Sequence, residues 1–355
     1  MVPSSLFLIF FPLVAMGEKP QQVHLSLTKS TTEMTVTWVI FNDTSGHWVE
    51  FRRAFFSSVT KVPATATKFT NSAGVTRYIH RATLSGLIPG QQYVYQAGRK
   101  GDLTLEYTFT QLPLSPPYRI CVFGDLGVTN GQSMPHLIEE GINKNYDLVI
   151  HVGDIAYDLF KDGGRVGDQY MNSMQPLIAT VPYMVIAGNH EVDPPLPPRI
   201  VNIQEEHGTR VVESRSYERF YPRADNFNAS GDPYKNPKGP TYIISGGAGC
   251  HSGYATFASP VPFSASRIND YGYSRMFVPN STHIHFQQIS VEKKGDVVDD
   301  IWISKDPGFV RGRMDGDGEK GWQLQMPSGA EAAEVVCHPR DMHCHRKRKD
   351  TTNSL

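Results

Sequence analysis

Three apolar runs of this chain end in glycine followed by an oxygen-bearing side chain, and this repeated ending constrains the fold more than any other feature. The runs close on GDLG (124–127), GDIAY (153–157) and GNHE (188–191), with segments of helical spacing between them. Alternating strands and helices predict βαβ units and a parallel sheet buried on both faces. Because the carboxyl ends of parallel strands share one edge, the motifs should meet at a ligand-binding rim.

Each motif supplies an oxygen ligand directly after its glycine: Asp125, Asp154 and Asn189. Tyr157 lies three residues after Asp154 and is placed to point back toward the same rim. Oxygen ligands from several strand ends suit a pair of hard or borderline cations. Two metals about 4 Å apart, bridged by a carboxylate, commonly bind phosphate and activate water. A single Gly-Asp is more simply a turn with a capping carboxylate, but three in order favour a site.

The first hundred residues follow a different pattern, because residues 20–113 contain short, alternating apolar runs separated by turn residues. This spacing predicts an antiparallel β-sandwich, with Trp38 in its core. The segment containing Pro89, Gly90 and Tyr93 resembles the fibronectin type III pattern around its tyrosine corner. The proline-rich QLPLSPPY that follows is typical of a domain linker.

The rim motifs together resemble the calcineurin-like metallophosphoesterases. Tyr157 in GDIAYD, behind a fibronectin-like domain, narrows the resemblance to the purple acid phosphatases, most closely the animal members. The resemblance covers residues 20–192 and resumes from about 216 to 306. It implies an α+β two-domain chain, with a fibronectin type III-like β-sandwich over residues 20–113 and a metallophosphoesterase α/β domain over residues 118–306.

By this resemblance the chain is an acid phosphatase that hydrolyses phosphate monoesters through a dinuclear Fe–M centre. Asp125 and Tyr157 would bind the ferric ion, and Asp154 would bridge it to a second divalent metal, which is zinc, iron or manganese. Asn189 would bind that second metal. His190 would be the catalytic residue that contacts the substrate phosphate. The expected partner is a small-molecule phosphate ester.

The chain departs from the family in its centre. The family supplies three further metal-binding histidines, one in a GHRP-like segment and two in a GHxHxYER-like segment. Here only SYER (216–219) is present, and Glu213 and Arg215 stand where two of the histidines should be. Only 24 residues separate GNHE from SYER, whereas one βαβ unit needs roughly 30. We therefore predict that a central block is missing between about residues 192 and 216.

This gap leaves alternatives to the phosphatase function. One is a catalytically inactive secreted isoform or fragment that acts, if at all, as a binding protein. Another is a faulty gene model whose product does not fold. Without the three histidines, a stable dinuclear centre is not expected.

Other side chains are poor substitutes for the absent histidines. His283 and His285 alternate with apolar residues and so share a strand face, which favours a solvated face. His251 follows a glycine-rich turn and is expected to be a loop residue, and His207 lies in a segment that resembles nothing in the family. A cluster near the end has zinc-ligand residue types but not the spacing of a zinc finger: Cys337, His338, His343, Cys344 and His345.

The ends of the chain predict a secreted protein. Residues 1–17 carry a short apolar core and a small-x-small cleavage site, which predicts a signal peptide, with a buried strand or helix as the alternative. Secretion gives meaning to the glycosylation sequons at Asn42, Asn228 and Asn280. The expected location is extracellular or lysosomal. Residues 307–355 are polar and end in a basic run, which predicts a disordered tail.

Composition narrows the partners further. The formal net charge is −1, which provides no field for nucleic-acid binding. After the first residues, no apolar run is long enough to span a bilayer, so no membrane partner is expected. Cys121 lies in an apolar strand and is expected to be a buried free thiol, but the four cysteines define no disulfide pairing. The oligomeric state is left open.

Overall fold

The computed structural model describes residues 19–191, 203–205, 208–210, 215–222, 232–237, 239–250, 253, 257 and 263–309. Several sequence predictions lie outside these described residues. They are the signal peptide, the sequon at Asn228, the side chains of His207, Glu213 and His251, and the tail with its cysteine and histidine cluster.

The first part of the chain is a sandwich of two antiparallel sheets. Its strands are β1 (Gln21–Leu27), β2 (Met34–Ile40), β3 (Trp48–Arg53), β4 (Thr60–Pro63), β5 (Thr65–Thr70), β6 (Thr76–Leu84), β7 (Gln92–Arg99), β8 (Asp102–Leu103) and β9 (Tyr107–Thr110). One sheet has the order β1-β2-β6-β5, and the other has the order β4-β3-β7-β8 with β9 paired to β7.

The alternating pattern of the strands places one row of side chains between the two sheets. Trp38 is fully buried there, as predicted, among residues from both sheets such as Leu25 and Tyr95. The tyrosine corner is also present, because the Ile88 backbone N–H donates to Tyr93 Oη at 2.8 Å. The sandwich predicted from the sequence is therefore confirmed.

The second part of the chain is an α/β domain. Its elements are β10 (Tyr118–Phe123), α1 (Met134–Ile142), β11 (Leu148–His151), α2 (Lys161–Ile178), β12 (Tyr183–Val185), β13 (Ile203–Glu205), β14 (Gly208–Arg210), β15 (Tyr217–Phe220), β16 (Ile243–Ser245), β17 (Ser264–Ile268), β18 (Gly272–Asn280), β19 (His283–Ser290) and β20 (Asp296–Ser304). A six-stranded sheet has the order β12-β11-β10-β18-β19-β20.

This central sheet is mixed, whereas the sequence predicted a parallel one. Strands β10, β11 and β12 are parallel, but β18 joins β10 in the antiparallel direction. Strands β18, β19 and β20 follow one another through short turns, and short turns join antiparallel neighbours only. The parallel part is the part that carries the three motifs, so the rim argument is unaffected.

Both helices pack on the same core of the central sheet. Cys121 and Phe123 of β10 and Val149 of β11 are fully buried against residues from α1 and α2. Cys121 is a buried free thiol, as expected from the sequence. Within the described part of the chain, no helix is long and apolar enough to cross a membrane.

Helix α2 also faces the sandwich, so the two parts share an interface. The backbone N–H of Val23 in β1 donates to Gln175 Oε1 at 2.9 Å, and Tyr95 Oη donates to the Ala179 carbonyl at 2.7 Å. All described residues belong to one compact unit. The helix that follows the GDIAY motif is therefore tied to the N-terminal sandwich.

Candidate active site

The loops after β10 and β11 are joined by their backbones. The Asp125 N–H donates to the Gly153 carbonyl at 3.1 Å, and the Gly127 N–H donates to the Ile155 carbonyl at 2.9 Å. The parallel pairing of the two strands brings their ends to the same edge, as the sequence predicted. This edge, formed by the loops after β10, β11 and β12, is called the rim below.

Asp125 and Tyr157 form a buried pair at the rim. Tyr157 Oη donates to Asp125 Oδ2 at 2.6 Å. Burial raises the pKa of Asp125 to about 7, helped by the nearby Asp154 and Glu191 carboxylates and opposed by Tyr157 and Arg215. Burial also raises the pKa of Tyr157 above its usual range. The two residues predicted to bind the ferric ion therefore lie in direct contact with each other.

The third motif reaches the second through its backbone. Asn189, His190 and Glu191 form a single 3-10 turn, which three residues separate from the end of β12. The His190 N–H donates to Asp154 Oδ1 at 3.1 Å. The five residues predicted from the sequence to form the site thus lie in the three loops of the rim, where Asp125 contacts Tyr157 and Asp154 contacts His190.

His190 is oriented by an acidic neighbour that the sequence did not single out. Its Nδ1 lies 2.7 Å from Asp158 Oδ1, and Asp158 Oδ2 lies 2.5 Å from Lys161 Nζ. Burial of Asp158 acts to raise its pKa, but hydrogen bonds from Lys161 and His190 outweigh burial and lower it. The His190 ring meets the Tyr157 ring edge-on, with centroids 4.8 Å apart. These contacts fix the plane of the imidazole.

Glu191 has a structural role that the sequence did not assign. Its Oε2 accepts the backbone N–H of Asp154 at 2.9 Å and of Gly188 at 2.6 Å, and its Oε1 accepts the N–H of Ile155 at 2.8 Å. One carboxylate therefore ties the GNHE turn to the GDIAY loop. The sequence signal that could have pointed to Glu191 was its place as the last residue of the GNHE motif.

The rim backbone is unusual because four side-chain-bearing residues adopt left-handed conformations. The φ angles are 58° at Asp125, 50° at Asp154, 52° at Tyr157 and 73° at Asp158. Non-glycine residues hold such angles only where surrounding contacts impose them, at a cost of order 1–3 kcal/mol each. The concentration of four in two neighbouring loops is typical of a functional site.

The other histidines considered in the sequence analysis do not join the rim. On β19, His285 stacks on Trp302 with ring centroids 4.3 Å apart, and its Nε2 lies 2.7 Å from Asp300 Oδ1. The His283 ring packs edge-on against the same Trp302. Both histidines thus belong to a partly exposed face of the β19–β20 hairpin, in agreement with the solvated-face interpretation.

His151, three residues before Asp154, belongs to a buried polar cluster beneath the rim. Its Nδ1 lies 2.6 Å from Tyr183 Oη and 3.2 Å from Tyr170 Oη. The side chain is fully buried, and desolvation lowers its pKa to about 3. The structure therefore holds His151 in its neutral form.

We expect His151 to make the chain less stable in acid. The unfolded chain binds this proton below about pH 6.5, whereas the folded chain does so only near pH 3, so stability is lost as the pH falls between these values. At pH 5 the loss should be about 2 kcal/mol relative to pH 7. Urea unfolding of the wild type and His151→Phe at both pH values measures the difference.

His136→Gln, on α1, is the matched control for this prediction. Other buried histidines such as His47, whose pKa burial lowers to about 4, titrate equally in all three chains and cancel. An identical pH dependence in the wild type and His151→Phe would contradict the assignment.

The fold and the rim define the class of the protein: a metallophosphoesterase-like α/β domain behind a β-sandwich. Residues 20–111 match the family model described as purple acid phosphatase, N-terminal domain. Residues 239–300 match the model described as iron/zinc purple acid phosphatase-like protein C. The purple acid phosphatase PPD1 from yellow lupin seeds shares the fold, with a TM-score of 0.68, 19% identity, and coverage of 81% of this chain and 75% of that chain.

Acid phosphatase type 7 from Homo sapiens is 30% identical over 412 aligned positions, which cover 84% of this chain and 94% of the human protein. The chain belongs to the purple acid phosphatase family, a family of hydrolases. Probable inactive purple acid phosphatase 27 from Arabidopsis thaliana is 32% identical over 218 positions, which cover 50% of this chain and 34% of that protein. Relatives that are named as phosphatases and as inactive homologues are thus both similar to this chain.

The alignment with the human protein also shows a difference in length within the aligned span. Its 412 positions exceed the 355 residues of this chain, so the human protein has residues within the aligned span that this chain lacks.

Proposed function

We propose that the rim is a phosphate ester site of the purple acid phosphatase type, and that in this chain it is catalytically inactive. The observation that carries the proposal is Arg215, which precedes SYER where the family resemblance predicts a metal-binding histidine and whose charge acts on Asp125. The three motifs lie at the rim, and Tyr157 of one contacts Asp125 of another.

The proposed roles at the rim follow the predicted ones. Asp125, Asp154, Tyr157 and Asn189 are the residues that face the cation positions of the family's site. His190 is the residue that contacts phosphate, because Asp158 holds its ring in one plane and leaves it partly exposed, at 26% for the side chain. A phosphate ester is then the ligand class that these residues suit.

The described residues supply only part of the ligand set that the family's two metals require. A catalytic metal is usually held by three protein ligands. Within the described residues, no three His, Cys, Asp or Glu side chains are grouped so that they could hold a metal ion. The rim carries the four predicted ligands Asp125, Asp154, Tyr157 and Asn189, but the sequence lacks the three histidines that the family resemblance adds to them. We therefore propose that this chain does not hold a stable dinuclear Fe–M centre.

The positive charge of Arg215 also disfavours metal binding at the rim. It precedes SYER, at one of the two positions where the family resemblance predicts a histidine. Its positive charge acts on Asp125 and favours the ionised carboxylate, with the effect of lowering the Asp125 pKa. A guanidinium beside Asp125 repels a metal cation where a histidine would bind it. Among the relatives of this chain, one from Arabidopsis thaliana is named probable inactive purple acid phosphatase 27.

The competing function is the family's own reaction, hydrolysis of phosphate monoesters at acidic pH through iron and a second ion of zinc, iron or manganese. It is favoured by the alignment across 94% of the human acid phosphatase type 7. This function requires that metal ligands come from the segments between the described residues. It also requires the predicted central gap between about residues 192 and 216 to leave the site complete.

The secreted state remains part of the proposal. The sequons at Asn42 and Asn280 lie on exposed residues, where a glycosylation enzyme can reach them. An extracellular or lysosomal phosphate ester would then be the ligand that the rim meets.

One experiment separates the two functions. Iron, zinc and manganese are measured by elemental analysis of the purified, secreted chain, and turnover of an aryl phosphate is measured at pH 5 for the wild type and Asp154→Ala. We expect less than one metal ion per chain and the same background turnover in both proteins. Human acid phosphatase type 7 serves as the positive control. Two metal ions per chain, together with turnover that Asp154→Ala abolishes, would establish the phosphatase for this chain.

A further inference from the structure

The loop that follows the GDIAY motif contains a turn in which three consecutive residues have left-handed backbone conformations. Asp162, Gly163 and Gly164 all have positive φ angles, of 52°, 65° and 85°. Three consecutive left-handed residues interrupt the first turn of α2, and a left-handed conformation at Asp162 carries a penalty of about 1–2 kcal/mol. Contacts from elsewhere must therefore hold residues 162–164 in place. This segment is called the left-handed turn below.

The contacts that hold the left-handed turn come from the N-terminal sandwich. The Gly163 carbonyl accepts Asn71 Nδ2 at 2.6 Å and Arg77 Nη2 at 3.0 Å. Arg77 continues to Asp168 on α2, with Nε 2.8 Å from Oδ1 and Nη2 2.6 Å from Oδ2. Arg77 is only 7% exposed, so this two-point ion pair is screened little by solvent.

The sandwich also lies close to the two glycines of the left-handed turn. A Cβ on Gly164 would lie 2.7 Å from Arg77 Nη2, and a Cβ on Gly163 would lie 3.2 Å from Val75 Cγ2. Asn71 is itself fixed, because its Oδ1 accepts the backbone N–H of Ala73 at 3.1 Å and of Val75 at 2.9 Å. The two domains are therefore shaped to each other at this point.

The other side of the left-handed turn leads to the rim. Lys161 directly precedes Asp162, and its Nζ lies 2.5 Å from Asp158 Oδ2. The second oxygen of Asp158 contacts His190 Nδ1 at 2.7 Å. A short, continuous path thus joins Arg77 in the sandwich to the imidazole of His190.

We propose that the N-terminal sandwich positions His190. Arg77 and Asn71 fix the left-handed turn, the turn fixes Lys161 and Asp158, and Asp158 fixes the plane of the His190 ring. Arg77 and Asn71 are positioning residues, because they act through Asp158 and do not touch the rim themselves. This inference builds on the proposed role of His190 as the phosphate contact, and its test requires neither metal nor hydrolysis.

The test follows the His190 ring in the full chain by NMR of histidines labelled with ¹³C at Cε1. The signal is assigned by its loss in His190→Gln. The variants are Arg77→Ala, Arg77→Lys and Asn71→Ala, with Arg52→Ala as the matched control. Arg52 is another arginine of the sandwich, and its guanidinium lies 3.5 Å from Glu106, away from the left-handed turn. Amide exchange of residues 158–164 is measured in parallel by mass spectrometry.

Arg77→Ala should shift or broaden the His190 signal and speed amide exchange over residues 158–164 about tenfold. Arg77→Lys should change the His190 signal and the amide exchange rate less than Arg77→Ala does. Arg52→Ala should leave the His190 signal and the exchange rate unchanged. The signal of His80, buried in the sandwich, reports whether each variant is folded. If Arg77→Ala does not fold, Asn71→Ala carries the test, with a smaller effect in the same direction.

An unchanged His190 signal in both folded Arg77→Ala and folded Asn71→Ala overturns the proposal. The same holds if His190 moves equally in Arg52→Ala. Finding two metals and turnover in the wild type would overturn the inactive assignment alone, since the path from Arg77 to His190 does not depend on it.

Discussion

We expect Glu191→Ala to lower the free energy of unfolding by about 3 kcal/mol, because three backbone N–H groups lose one charged acceptor. Hydrogen bonds to charged groups contribute about 1.5–3 kcal/mol each, and Glu191 is half-buried, so the sum is reduced by solvent. The buried N–H of Asp154 and Ile155 would be left without this partner. Urea unfolding at pH 7 measures the loss.

Two further variants test the explanation for Glu191. Glu191→Gln keeps the shape and one carbonyl oxygen, so it should lose roughly half as much stability as Glu191→Ala. Glu139→Ala removes an exposed carboxylate from α1 and should change stability by less than about 0.5 kcal/mol. Equal losses in Glu191→Ala and Glu139→Ala would show that Glu191 does not tie the two loops together.

We expect Gly188→Ala to destabilise the chain by about 2–3 kcal/mol and to separate the GNHE turn from the GDIAY loop. The added Cβ would lie 2.2 Å from Asp154 Oδ1 and 2.5 Å from the Asp154 backbone nitrogen. A backbone atom cannot rotate away as the end of a flexible side chain can, so one of the two loops must move. Thermal unfolding and amide exchange over residues 153–158 measure both effects.

Gly247→Ala is the matched control for Gly188→Ala. Its added Cβ would lie 3.4 Å from the Asp270 carbonyl oxygen, which is an ordinary contact, so the loss should stay below about 1 kcal/mol. Faster amide exchange over residues 153–158 in Gly188→Ala, with none in Gly247→Ala, is the expected pattern. Unchanged exchange in both would mean that the close packing of the two loops is not what sets the rim.

The strands and turns of the sandwich were predicted well, because their formation depends on residues that are close together in the chain. Alternating apolar residues gave the sandwich strands, and Pro89-Gly90 before Tyr93 gave the tyrosine corner. The antiparallel β18 beside β10 could not be predicted, because a strand's neighbour depends on residues more than a hundred positions away. The predicted missing block, signal peptide and tail stay predictions.

The sequence predicted where the site lies, but it did not predict the contacts between the side chains of the site. Gly-Asp and Gly-Asn endings located Asp125, Asp154 and Asn189 at one rim, since parallel strands must end together. The contact of Tyr157 with Asp125, and the charge of Arg215 acting on Asp125, depend on segments far apart in the chain. Burial shifts the pKa of such groups, and the burial of a given side chain cannot be read from the order of amino acids.

By itself, the sequence determined the family, the two-domain order and the rim that carries Asp125, Asp154, Tyr157, Asn189 and His190. Strand and turn preferences act over a few residues, so they are visible in the order of amino acids. Only the tertiary structure decided that Glu191 ties two loops together and that Arg77 of the sandwich holds the left-handed turn beside the rim. The contacts of Glu191 with the GDIAY loop join residues 36 and 37 positions apart, and those of Arg77 join residues 86 and 91 positions apart. Over such separations, chain order gives no information about distance.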